Sequence, residues 1–105
     1  MSYSQLSDFE INQRVSNAIP GRFIFYPDYV WDSEWEKTFD PCNKAADAWP
    51  IITDNKISIY AMSEADARGK WGAEAFYPNW AYHFNDNPPR AAMIAFLMMQ
   101  ENQNG

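Results

Sequence analysis

Nine consecutive apolar residues, Ala91 to Met99, set the strongest constraint on how this chain can fold. The preceding Asn85-Asp86-Asn87-Pro88-Pro89 reads as a turn and a helix start. Pro88 suits the first helical position because its missing N–H has no intrahelical partner there, and Asn87 can cap the first turn. The helix that follows has almost no polar face. Such a helix belongs in a core and not on a surface, so the rest of the chain has to enclose it. The run is far too short to span a bilayer.

The elements available to do so can be read from local pattern. Ser7 and Glu10 have capping-box spacing, with Leu6 and Ile11 at staple spacing around them. Ile11, Val15, Ala18 and Ile19 continue an apolar stripe, and Pro20-Gly21 stops it, which places a helix over residues 8–19. Arg22 to Tyr26 is a compact β run closed by Pro27-Asp28, with Tyr29 to Trp31 as a candidate return strand. Residues 32–40 lack a period and read as a loop or a frayed helical turn. Asn43 is placed to cap a short helix through Ala45, Ala46, Ala48 and Trp49, with a kink or restart at Pro50. Lys56 to Met62 alternates cleanly, with Ile57, Ile59 and Ala61 on one face. Trp71 to Phe76 and Trp80 to Phe84 supply two further strands, and residues 101–105 form a polar tail.

These readings combine into one α+β domain over residues 1–105. An antiparallel sheet of about three strands is packed by an N-terminal helix, a short kinked middle helix and the apolar C-terminal helix. With 105 residues the chain has the size of one domain.

Charge narrows the partners. The net charge is −6, and it is uneven: residues 1–54 hold nine acids and four bases, residues 55–105 five and four. A chain this acidic without a basic run does not track a phosphate backbone, so no direct nucleic-acid grip is expected. Neither is a membrane partner. Met1 to Glu10 lacks the basic and apolar regions of a signal peptide, and a single cysteine forms no intrachain disulfide, so a cytoplasmic location is expected.

Three constellations are candidates for chemistry or recognition. Cys42, ahead of a helix start, has one conceivable base in His83, the lone histidine. No nucleophile signature surrounds it, so a buried structural cysteine is the simpler reading, and no enzyme activity, metal or cofactor is expected. Between residues 28 and 40, carboxylates interleave with aromatics. Asp28, Tyr29, Trp31, Asp32, Glu34, Trp35 and Glu36 read either as a solvated acidic face or as a docking surface for a basic, partly apolar patch on another protein. Finally, Arg90 in the first turn of the last helix, with Trp49, Tyr82, His83 and Asn87, suggests a pocket for a small anionic ligand such as a nucleotide. The plainer reading pairs Arg90 with Asp47 or Asp86 and makes it structural.

Several blocks together resemble a known family. Ser4-Gln5-Leu6-Ser7-Asp8-Phe9-Glu10-Ile11-Asn12 opens the match. Asp40-Pro41-Cys42-Asn43, Asp47-Ala48-Trp49-Pro50-Ile51-Ile52 and Lys56-Ile57-Ser58-Ile59 form its centre. Asn87-Pro88, Arg90-Ala91-Ala92-Met93-Ile94 and Phe96-Leu97-Met98-Met99 close it. In order and spacing they resemble the NinX-like family of small tailed-phage and prophage proteins of unknown function. Residues 20–39 and 63–84 depart from it most. The resemblance implies a phage-encoded accessory protein acting in the infected bacterial cytoplasm, and it supplies no catalytic residues.

Two functions follow as expectations: a non-enzymatic protein that binds a host protein through the acidic aromatic segment, for host takeover or anti-defence, or a protein that sequesters a small nucleotide signal. A homodimer is also expected, because so small a sheet leaves part of the apolar helix to be covered by a second copy.

Overall fold

Ser7 starts the first long helix as its spacing predicts. Its hydroxyl accepts from the N–H of Glu10 at 3.1 Å, and the Glu10 carboxylate accepts from the N–H of Ser7 at 3.1 Å. In this computed structural model, which describes residues 3–19 and 21–104 (side chains of 102–104 excepted), a short 3-10 turn at Tyr3–Gln5 leads into helix α1, Asp8–Asn17. The proline expected to stop α1, Pro20, lies outside the described residues, as do Met1, Ser2 and Gly105. Gly21 follows at φ +97°, a left-handed conformation that suits glycine at the turn.

Two three-stranded antiparallel sheets follow where one was expected. Sheet 1 is a meander of β1 (Phe23–Phe25), β2 (Val30–Asp32) and β3 (Lys37–Thr38). The third strand lies inside the stretch expected as a loop. Two residues are too few to show a period, and they pair because Asp32 turns the chain back beside Trp31. Sheet 2 is a meander of β4 (Ser58–Ala61), β5 (Trp71–Ala75) and β6 (Ala81–Asn85), close to the expected strands.

Helix α2 runs unbroken over Ala45–Asp54 with Pro50 inside it, so the expected restart does not occur. Its N-cap is Lys44, without a side-chain hydrogen bond; the Asn43 amide is bonded to Asp8 and Asp40 instead. Helix α3 spans Pro88–Asn104 and so includes residues 101–104 of the expected tail.

All residues from Ala91 to Leu97 are buried within one chain. Sheet 2 packs on α3 mainly through β5 and β6, and α1 and α2 pack on it as well. Ala73, Ala75 and Ala81 of the sheet are buried beside a helix that carries Ala91, Ala92 and Ala95, and such small side chains allow close approach. A second copy is therefore not needed to cover the helix. Among the described residues, no helix is long and apolar enough to cross a membrane.

The connection from β4 to β5 ends at Gly69, which is buried at φ +150° against β6. A Cβ there would lie 2.6 Å from the backbone nitrogen of Asn85. Neither backbone can yield without breaking sheet pairing. Gly69→Ala is expected to lower unfolding free energy by about 2–3 kcal/mol, measured by urea titration; an unchanged midpoint would contradict this packing.

Candidate functional site

The acidic aromatic segment divides into residues that build sheet 1 and residues that it displays. Asp32 builds. Its side chain is fully buried, and its two oxygens accept from Arg22 Nε at 3.1 Å and Nη2 at 2.7 Å. Oδ1 also accepts from the backbone N–H groups of Glu34 at 3.0 Å and Trp35 at 3.2 Å, an Asx-type turn. Burial alone would raise the carboxyl's pKa; the Arg22 guanidinium and the two N–H groups outweigh it and hold it below the usual range. Asp32 therefore leaves the expected docking set, since a group so committed has no lone pair aimed outward.

What Asp32 holds is the β2–β3 turn. Glu36 takes a left-handed backbone there at φ +53°, and Trp35 stands at the tip, 66% exposed. Glu34 is 3.6 Å from Arg22, a loose pair with an exposed carboxylate. The β1–β2 turn adds Tyr26 and Tyr29, stacked at 4.7 Å and 15°, with Asp28 between them in sequence. Trp31 is half-buried. Asp28, Tyr29, Glu34, Trp35 and Glu36 are thus displayed as expected, and Ile24, Phe25 and Tyr26 are exposed beside them. Three consecutive exposed apolar residues do not alternate, so no sequence period marked these last three.

Behind the β1–β2 turn lies an open cleft of about 170 Å³ between sheet 1, α1 and the 40–43 loop. Asp8, Asp28 and Asp40 line it, together with the aromatic residues Phe9, Tyr29 and Phe39. Asp40 is braced by the Asn12 amide at 2.7 Å and by Asn43 at 3.2 Å. Asn12, itself buried, accepts from the Cys42 N–H at 3.1 Å with its other end. Asp47 is buried as well. It pairs with Lys37 and accepts from the Asp40 N–H at 2.9 Å, which ties α2 to sheet 1. Among the described residues, no group of three or more His, Cys, Asp or Glu side chains is arranged to hold a metal ion.

The expected anionic pocket is not assembled. Arg90 pairs with Asp8 at 2.6 Å, not with Asp47 or Asp86, and its other nitrogen donates to the carbonyls of Leu6 at 2.8 Å and Ser4 at 3.3 Å. Its side chain is only 12% exposed, so it clamps the N-terminal segment to α3. Tyr82 and His83 are neighbours on β6 and project to opposite faces of sheet 2. Trp49 is exposed on α2, and the Asn87 amide donates to the Cys42 carbonyl at 2.7 Å. The five residues do not converge on one ligand.

The Arg90 charge acts on both Cys42 and His83, and no hydrogen bond joins the two among the described residues. Burial, then the Asp8 charge, pushes the Cys42 thiol up to about 12, where almost no thiolate exists near neutrality. His83 Nε2 is buried with no hydrogen-bond partner among the described residues. Burial and then the Arg90 charge lower its pKa below the ordinary value.

Comparison with known proteins agrees with this fold. A family model described as Bacteriophage P22, NinX matches residues 2–100, so the chain belongs to that family. The structure is similar to the crystal structure of a phage protein from Bacillus cereus ATCC 14579, with a TM-score of 0.64 at 14% identity. That likeness covers 92% of this chain and 95% of the other, and at such identity it speaks for the fold alone. No curated protein matches the chain.

Two measurements probe the Arg90 region. Arg90→Ala is expected to lower stability by about 2 kcal/mol in urea unfolding, the half-exposed Asp8 partner limiting the loss. An unaltered stability would show that the clamp contributes nothing. Because the folded pKa of His83 is depressed, the stability it contributes is complete above about pH 6.5 and falls as acid drives protonation through the lowered folded value. The urea midpoint of the native chain should therefore fall between about pH 7 and 5, and His83→Gln should flatten that fall. Identical profiles would remove His83 as the cause.

Proposed function

From its place in the bacteriophage P22 NinX family, we propose that this chain is a phage accessory protein acting in the host cytoplasm. It binds a host protein through sheet 1 and catalyses no reaction. The observation that carries this reading is the division of labour among the carboxylates. Asp32 and Asp47 are buried and paired, whereas Asp28, Glu34 and Glu36 are exposed around Tyr29 and Trp35. Among the described residues, Asp28 and Glu36 form no ion pair.

A rigid turn that presents an indole flanked by carboxylates fits a partner patch of Lys or Arg side chains around an apolar pocket. The rings supply buried area and the carboxylates supply orientation and encounter rate. The adjoining cleft is lined by three aspartates and three aromatic residues. Asp8 is already paired with Arg90 and Asp40 is held by Asn12 and Asn43, so a cationic side chain entering it would pair with Asp28, its stem along the aromatics. Such a protein would alter its host target by occupying that basic patch, in host takeover or in blunting a defence.

Tagged protein recovered from infected cells tests the reading. Trp35→Ala should weaken retention of the host partner by about 30-fold, the scale of losing one aromatic anchor. Glu34→Lys with Glu36→Lys should abolish retention while the circular dichroism spectrum stays native. Asp32 must be left intact, since changing it would disturb the turn itself. Full recovery of the same partner by the double charge reversal would sink the proposal.

A further inference from the structure

The segment before α1 is tied to α3 as a strap with little burial of its own. No residue of the Tyr3–Gln5 turn is buried, although the Tyr3 and Leu6 side chains rest partly against the core. Polar ties hold the rest. Arg90, in the first turn of α3, donates to the Ser4 carbonyl at 3.3 Å, the Leu6 carbonyl at 2.8 Å and the Asp8 carboxylate at 2.6 Å. Toward the other end of α3, Glu101 accepts from the Tyr3 hydroxyl at 2.8 Å. One guanidinium therefore carries three of these ties.

The charge of the same guanidinium reaches His83. Strand alternation puts His83, like the buried Ala81, on the side of β6 that packs against α3. Its Nε2 is buried with no hydrogen-bond partner among the described residues, whereas buried polar atoms ordinarily have one. A neutral imidazole bears that loss at modest cost. An imidazolium is a donor at both nitrogens, so the same atom would carry a buried N–H and a share of a full charge with nothing to accept it.

The surrounding elements supply no free counter-charge among the described residues. On β5, Ala73 stands opposite His83, and Glu74 points to the other face, where it accepts from the Trp80 indole. On α3, the charged residues are Arg90 itself and Glu101, the latter bonded to Tyr3. Cys42, whose carbonyl is held by Asn87 near the start of α3, has its thiol pushed up to about 12 and stays neutral. Asp8 and Asp40, which act on that thiol, are held by Arg90 and by Asn12 and Asn43.

We infer that His83 is an acid-sensitive latch for the N-terminal strap: a proton on its imidazole displaces Arg90 and frees residues 3–7 from α3 while the core stays closed. Arg90 is the group that yields. Its long side chain is 12% exposed and its Asp8 partner 41%, so both can turn into water, whereas the imidazole end is enclosed. The core side chains of α3, Ala91 to Leu97, are buried independently of the strap. Asp8 also lines the cleft behind the β1–β2 turn, so release would alter that cleft, but the latch does not depend on what binds there.

Burial, then the Arg90 charge, lowers the pKa of the latched imidazole, while a released one returns to about 6.5. The strap is thus fully held above about pH 6.5 and loosens as pH falls toward the lowered value, by about tenfold in its opening constant for each unit between the two.

Nuclear magnetic resonance on the full chain tests this directly. The chain has one histidine, so a single imidazole ring-carbon signal reports His83, and the backbone amides of residues 3–7 report the strap. Those amides are expected to move to unstructured positions with the midpoint of the His83 titration, while the amides of residues 91–97 stay native. His83→Gln should keep the strap held through the same range. Strap amides that stay native while His83 titrates would overturn the inference, and so would release of the strap at the native pH in folded His83→Gln. Simultaneous loss of the 91–97 signals would overturn it too, since His83 would then act on the whole fold. The first and last comparisons use the native chain alone and stand whether or not the variant folds.

Discussion

The enclosure of α3 is the constraint from which the other arrangements follow. A helix with apolar side chains around its whole circumference has to lose water on every side, at about 25 cal/mol for each Å² of apolar surface buried. One three-stranded sheet covers only one side. Helices α1 and α2 close others, and the chain must therefore bring residues from both ends and the middle against one axis. The Arg90 clamp belongs to this closure, because it ties the first turn of α3 to residues 82 to 86 positions earlier.

With the core closed this way, buried acids become joints. Asp32 fastens the sheet 1 turn to Arg22, and Asp47 joins α2 to Lys37 and the Asp40 backbone. Asn12 bridges Asp40 and Cys42 from within α1. Desolvating a carboxylate is costly, and each of these is retained because charged or N–H donors meet it at short range. The same pairing decides which acids face outward, and thus the character of the surface offered to a partner. Sheet 1 is acidic with projecting rings, whereas sheet 2 displays Tyr82 and Trp80, the latter bonded to Glu74.

Local rules made much of the fold legible. The Ser7–Glu10 box, the alternation over residues 56–62 and the Pro88 helix start all act within four or five residues, where one sequence suffices. The β3 strand was not legible, because a two-residue strand has no period and exists only through the Asp32 turn. Asn43 looked like a cap, but a carboxylate from α1 and another from its own loop compete for its amide. Arg90 looked available for an anion because its partners lie in the N-terminal segment, beyond the reach of spacing arguments. The acidic aromatic segment was visible as a composition, while the burial of Asp32 within it depended on Arg22 across the sheet. The family resemblance read from the two ends and centre agrees with the match over residues 2–100. Its blocks take in parts of α1, α2 and β4 and most of α3, whereas β5 and most of β6, which pack most on α3, lie in the stretch 63–84 that departs from the family.

Hydrogen exchange by mass spectrometry, on the chain alone and with the host protein recovered by the tagged chain, tests the central claim most directly. The account predicts added protection across residues 24–36 on binding, with α3 slow to exchange in both states because it is enclosed within each chain. Protection confined to residues 58–84, with 24–36 unchanged, would contradict it and move the host contact to sheet 2.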